Sequence, residues 1–193
     1  MSPTIYIIRH GQTDWNAVTR LQGQTEIAMN DYGRSQVHQN AEKLTDHLTV
    51  PHKYDFVSSP ISRAMETMRI TRSVLGLPQE GFHTDDRLKE LNYGEFSTHT
   101  WEELRRTRPD DVARRFENSW TYVIPKGECY AMLSKRVLHW FHDVEQDTIV
   151  AAHAGISRVL QGYCTKHPEK DIAFLDAPQD RVLVIKNGEM SWL

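Results

Sequence analysis

Apolar positions along the chain fall into two rhythms. Ile5-Tyr6-Ile7-Ile8, residues 54–58 (YDFVS) and residues 148–152 (TIVAA) are short continuous runs, too brief for typical helices, and they predict buried strands. Residues 82–85 offer a third, shorter strand between the second and the last of these. The second rhythm is helical. From Asn30, a good N-cap, Val37, Ala41, Leu44 and Leu48 recur on one face, leaving His38 and His47 off the stripe and solvated. Residues 64–75 (AMETMRITRSVL) read as a helix stopped by Gly76.

Further on, Thr100-Trp101-Glu102-Glu103 fits a capping box and Pro109-Asp110-Asp111 a second helix start. The intervening Arg105, Arg106, Arg108, Arg114 and Arg115 read as a solvated face. Pro125-Lys126-Gly127-Glu128 is a turn that opens an amphipathic helix through about Val144, with Met132, Val137, Leu138 and Phe141 toward the core. Another helix spans 156–164. Residues 182–185 and 189–193 flank Asn187-Gly188, a strong type I′ hairpin signal. The polar, glycine-punctuated stretch 15–29 reads as a loop. No repeat, low-complexity tract or linker divides the chain, so residues 1–193 form one domain, with 97–125 as an inserted cap.

Composition narrows the function classes. Apolar content of 39% with 25% charged residues in 193 residues is that of a globular protein with a sizeable core. A net charge of −3 argues against a nucleic-acid binder, which needs a basic face to neutralise phosphates. No apolar run approaches the ~18 residues of a membrane span, and the first strand begins so early that no signal peptide is expected. A cytoplasmic protein without membrane attachment follows as the expectation. Cys129 and Cys164 make neither a disulfide framework nor a metal knuckle, and the histidines lack zinc-type spacing. No metal and no cofactor are expected.

Chemistry collects where the strands end. The first runs into Arg9-His10-Gly11, and in α/β sheets ligands sit at such carboxyl ends, where a glycine lets backbone approach closely. A guanidinium, an imidazole and open amides suit an anion, although an isolated Arg-His-Gly could equally be a surface salt bridge. The last strand repeats the pattern with His153-Ala154-Gly155. Arg63 falls in the first turn of a helix after a strand, where amides and a guanidinium can converge on one anion. Glu90 lies between two leucines. Partial desolvation would make it a usable proton donor, and an ion pair with Arg87 or Lys89 is the other reading.

Together these blocks resemble the histidine phosphatase superfamily, which includes the cofactor-dependent phosphoglycerate mutases. The resemblance runs through Arg9-His10-Gly11-Gln12-Thr13 with Asn16, Leu21-Gln22-Gly23, residues 58–67 (SSPISRAMET), Arg87-Leu88-Lys89-Glu90-Leu91 with Gly94-Glu95-Phe96, Gly127-Glu128, and His153-Ala154-Gly155. It implies a three-layer α/β/α sandwich with a mainly parallel central sheet. It implies that His10 is the phosphorylated nucleophile, that Arg9, Arg63 and His153 bind phosphoryl oxygens with Asn16 and Gly155, and that Glu90 is the proton donor. Gln22 and Gly23 become candidate substrate contacts. The chain departs from the usual pattern at Glu26, Ala28, Met29, Ser97-Thr98, Cys129 and Ala154, all bordering the substrate side.

The expected activity is that of a metal-independent phosphomonoesterase of the histidine acid phosphatase type, acting on a small-molecule phosphate ester. Two guanidiniums and a second imidazole can offset phosphoryl charge without a metal. Like charge from Arg9 and Arg63 favours a neutral, nucleophilic His10. A phosphoglycerate mutase is the alternative, disfavoured because the segment between Glu90 and His153 is short for a cap that shields the phosphoenzyme from water. A non-catalytic phosphate-binding module is the third reading.

Overall fold

The computed structural model describes residues 2–193. Six strands form one sheet: β1 (Ile5–Arg9), β2 (Asp55–Ser58), β3 (His83–Thr84), β4 (Thr148–Ala152), β5 (Val182–Lys186) and β6 (Glu189–Trp192). Their order is β3-β2-β4-β1-β5-β6. The three pairings from β3 to β1 are parallel, and β5 and β6 add antiparallel to that edge. The expected strand at 82–85 is only His83–Thr84, exposed at the sheet edge.

The side-chain period of two divides β1 between two cores. Ile5 and Ile7 join Val57, Val150 and Ala152 on one face, while Tyr6 and Ile8 join Phe56, Ile149 and Ala151 on the other. Helices α2 (Asp31–Thr45) and α3 (Ser62–Val74) cover the second face with Leu44 and Met68. Helices α6 (Tyr130–His142) and α7 (Ala154–Thr165) cover the first with Leu133, Val137, Ile156 and Leu160. A three-layer α/β/α sandwich results. Segment 97–125 carries α4 (Trp101–Thr107) and α5 (Pro109–Glu117), and sends Leu104, Val112 and Ile124 into that same first core.

Several expectations are corrected. Stretch 15–29 is not loop throughout, because Thr13 and Asn16 form a capping box that starts the one-turn helix α1 (Asp14–Ala17). Helix α6 ends at His142 rather than near Val144. Met132 is 46% exposed, and the buried stripe is Tyr130, Leu133, Val137 and Trp140, because Tyr130 at the first helical position sets the phase of the face. Arg115 leaves the solvated face altogether. It is buried with its guanidinium 5.4 Å from the Tyr130 ring centroid, where an aromatic face stands in for water. The segment between α7 and β5 carried no periodic signal, and it contains the one-turn helix α8 (Glu169–Ile172).

Gly11 and Gly33 lock the first strand's end to the start of α2. A Cβ on Gly11 would overlap the Gly33 carbonyl, and one on Gly33 would overlap the backbone of Gln12. Asn30 completes the clamp by bonding Gln12 through both backbone (3.0 Å) and side chain (3.1 Å). Backbone cannot rotate out of the way as a side chain can. Gly33→Ala is therefore expected to cost at least about 1–3 kcal/mol, the range of overpacked cores. Denaturant unfolding checks this; a loss below about 0.5 kcal/mol would show that the contact relaxes freely.

Candidate active site

The adjacent parallel strands β1 and β4 end in register, Arg9 opposite Ala152. His10 N–H donates to the Ala152 carbonyl at 3.0 Å, and the next residue of β4's line is His153. The two imidazoles thus meet edge to face, with centroids 5.3 Å apart. The repeated strand-His pattern marks one pocket seen from two strands. The cleft above them has a volume of about 380 Å³, and Asn16, Gln22, Gly23, Arg63, Glu90 and Arg158 are among its walls.

His10 is held in one tautomer. Its Nδ1 lies 2.8 Å from the Gly11 carbonyl, which only accepts, so Nδ1 carries the proton. Nε2 is left with its lone pair, which receives Arg63 Nε–H at 3.2 Å. Burial above all, then Arg63 and Arg9, hold the His10 pKa well below its ordinary value. His153 is likewise depressed, by burial first and then Arg63 and His10. Both rings are neutral near neutral pH.

Arg63 is only 1% exposed and, among the described residues, has no carboxylate partner at salt-bridge distance. Its Nη1 and Nη2 donate to the carbonyls of Thr25 (2.8 Å) and Gly23 (2.7 Å). Arg9 is anchored on the Ala177 carbonyl, and burial draws its pKa down to about 10, which leaves it charged. Arg9 Nε, Gln22 Oε1 and His153 Nδ1 are buried without a hydrogen-bond partner among the described residues. Arg9 and Gln22 line the cleft, and orphaned polar atoms there carry a desolvation cost that a hydrogen-bonding ligand would relieve.

Glu90 makes neither of the ion pairs considered for it. Arg87 bonds Asp85 and Asp143, and Lys89 bonds Asp86. Its Oε1 accepts from the N–H groups of Leu91 (2.8 Å) and Gly155 (3.1 Å). Gly155, expected at the phosphate, thus gives its N–H to the carboxylate instead, and a Cβ there would collide with Glu90 Oε1. The segment is pinned from behind by Arg136. That guanidinium donates to the carbonyls of Arg87, Lys89 and Glu90 and is itself held in a two-point pair by Glu128. Asn16 Oδ1 is occupied by Thr13 and Gln179, with the amide nitrogen left toward the cleft. Among the pattern's departures, Glu26 secures the start of α3, where its carboxylate accepts Ser62 N–H at 3.0 Å.

Sequence reasoning passed over three residues here. Ser59 Oγ sits 2.7 Å from His153 Nε2 and accepts the Ile61 N–H at 3.4 Å; a hydroxyl proton given to Nε2 leaves Nδ1 as a free donor. Arg158, one turn into α7, lines the cleft. Gln179 donates to the His10 carbonyl at 3.0 Å from a stretch without pattern. Only Arg158 had a signal, its place one turn beyond His153. No group of three or more His, Cys, Asp or Glu side chains gathers as a metal site among the described residues.

A sandwich whose parallel strands end in paired imidazoles, with several guanidiniums walling one cleft, is an α/β protein with a cationic cleft at the carboxyl ends of its strands. The family model of the histidine phosphatase superfamily (branch 1) matches residues 5–192, and the chain belongs to that family. It is 32% identical over 123 residues to phosphoglycerate mutase-like protein 4 of Arabidopsis thaliana, covering 64% of this chain and 51% of that protein. It is 30% identical over 142 residues to the probable phosphoglycerate mutase GpmB of Yersinia pestis, covering 69% and 59%. The matches thus span a little over half of those relatives' length. Among solved structures, a mycobacterial glucosyl-3-phosphoglycerate phosphatase superposes with a TM-score of 0.79 at 23% identity, covering 100% of this chain and 96% of that one. A putative α-ribazole-5′-P phosphatase from Escherichia coli gives 0.80 at 18%, covering 100% and 95%. At these identities what is shared is the fold. No helix among the described residues is long and apolar enough to cross a membrane.

The buried neutral imidazoles make stability depend on pH with a definite sign. Below pH 6.5 each ring takes up a proton in the unfolded chain but not in the folded one, so stability falls as pH drops through that value. Each ring contributes a slope of up to about 1.4 kcal/mol per pH unit. His10→Gln should therefore flatten unfolding free energy against pH between roughly 6.5 and 5.5. An unchanged slope would mean that His10 protonates as readily folded as unfolded.

Proposed function

We propose that the protein is a phosphomonoesterase that works through a phosphohistidine on His10, without a metal ion, on a small phosphorylated metabolite. The observation that carries this reading is the unprotonated Nε2 of His10, with Nδ1–H tied to Gly11 and its lone pair holding the Arg63 Nε–H, at a cleft walled by Arg9 and Arg63. Nε2 exchanges the Arg63 Nε–H for phosphorus as the ester P–O bond breaks, the freed Nε–H turns to a phosphoryl oxygen, and Glu90 gives its proton to the departing alkoxide. Water then attacks phosphorus as the P–N bond breaks, giving a proton to the Glu90 carboxylate, releasing phosphate and returning the lone pair to Nε2. Arg9, Arg63, His153 Nδ1–H and the Asn16 amide take up charge on the equatorial oxygens. Gln22 and Gly23 border the ester side. The named activities of similar structures, both phosphatases, support this reading, whereas the curated relatives' names favour a mutase. A mutase must keep water from the phosphoenzyme, and the short segment between Glu90 and His153 favours hydrolysis.

A chemical trap decides the covalent step. Alkaline quench during turnover, followed by peptide mass spectrometry, is expected to find phosphate on His10, since phosphohistidine is acid-labile. Label on another residue, or full activity in His10→Ala, would refute the mechanism. Supplying 3-phosphoglycerate with the bisphosphate and finding isomerisation faster than phosphate release would establish the mutase instead.

The role of Glu90 is read from the leaving group. An alkoxide departs poorly without a proton, whereas p-nitrophenolate leaves well as the anion. In single-turnover phosphorylation, which isolates the first step, Glu90→Gln should slow alkyl phosphates by roughly 10²–10⁴ and p-nitrophenyl phosphate far less. Equal losses for both would assign Glu90 a positional role.

A further inference from the structure

The cleft continues beyond its phosphate end. Tyr93, Trp101 and Arg158 wall both the catalytic cleft and an adjoining cavity of about 270 Å³, whose far side is Phe116 and Phe174 with Arg115 beside them. The cleft alone is at the small end of the size usual for metabolite pockets, and the adjoining cavity adds room beside it. Phe116, from α5, and Phe174, just after α8, come from segments far apart in the chain. Their rings lie nearly parallel, 26° apart, with centroids 6.0 Å apart, and Trp101 meets Phe116 edge-on at 5.1 Å. Yet the pair is 41% and 53% exposed, with the Arg105 guanidinium 5.5 Å from the Phe116 centroid, beside a cleft whose inner end is built of guanidiniums. Among the described residues, no carboxylate lines this second cavity.

We propose that this cavity is a leaving-group subsite, which takes a planar apolar ring carried on the alcohol side of the phosphate ester. This rests on the phosphomonoesterase reading. Its occupant is argued from adjacency: a ring seated against Phe116 and Phe174 lies beside Tyr93, Trp101 and Arg158, which also wall the cleft that holds a phosphoryl group at His10. A flat ring would cover apolar surface that the fold leaves bare and would gain the geometric preference of aromatic pairs. Arg158, with its Nε fixed on the Leu175 carbonyl at 2.7 Å, is a fixed wall shared by the two spaces.

The test compares 3-phenylpropyl phosphate with n-propyl phosphate, whose leaving alkoxides have matched basicity and differ only in the ring. The wild-type protein is expected to favour the phenyl ester by roughly tenfold in kcat/KM, the scale of one buried aromatic contact. Phe116→Ala and Phe174→Ala should each cut that ratio by about threefold or more while leaving n-propyl phosphate unchanged. Equal rates for the two esters, or equal losses in the variants, would overturn the subsite and make the Phe pair a clamp between α5 and α8. Calorimetry with the matching phosphonates, which cannot be hydrolysed, separates the two readings. Tighter binding of the phenyl phosphonate without turnover of any ester would retain the subsite and refute the phosphatase. Turnover without phenyl preference in rate or binding would do the reverse.

Discussion

A buried guanidinium without a carboxylate is the constraint on which this architecture turns. Arg63 is almost fully enclosed, and a charge so placed costs several kcal/mol unless its donors are met. They are met by the carbonyls of Gly23 and Thr25 and by His10 Nε2, all neutral. The loop after α1 is therefore drawn down over the strand ends to supply those carbonyls, and Gly23 takes the positive φ of 52° this path needs. Carbonyl dipoles hold the cation without cancelling its charge, so the cleft remains positive in a protein whose net charge is −3.

The remaining groups are held by supports outside the cleft. Glu90 owes its place to Arg136, which grips three carbonyls around it and is itself fixed by Glu128, and to Gly155, whose missing side chain makes room for the carboxylate. Ser59 orients His153 as the Gly11 carbonyl orients His10. Such preorganisation means that little has to move when an anion arrives. The same burial that depresses both imidazoles keeps them neutral.

Much of this was legible from the residues. Continuous apolar runs located β1, β2 and β4, the Val37-Ala41-Leu44 stripe located α2, and Asn187-Gly188 with positive φ at both positions closes the hairpin as its sequence foretold. Met132 and Arg115 misled for one reason. Hydrophobicity and charge state a preference, but which face of α6 meets the sheet, and whether an aromatic ring awaits a guanidinium, depend on neighbours distant in the chain. Ser59 and Gln179 carried no signal, since a lone serine or glutamine acquires meaning only from what it faces.

The sequence by itself determined the elements, the strand-end histidines, the cationic corner and the family, because period, caps and short motifs are local properties of the chain. Tertiary structure alone decided that β1 and β4 are neighbours in register, bringing His10 against His153 across about three quarters of the sequence. It decided that Gly155 serves Glu90, that Glu90 is free of Arg87 and Lys89, and that Phe116 meets Phe174 beside the cleft. Those outcomes depend on which distant groups compete for the same buried space and the same hydrogen bonds, and that competition is settled only when the sheet and both helical layers close together.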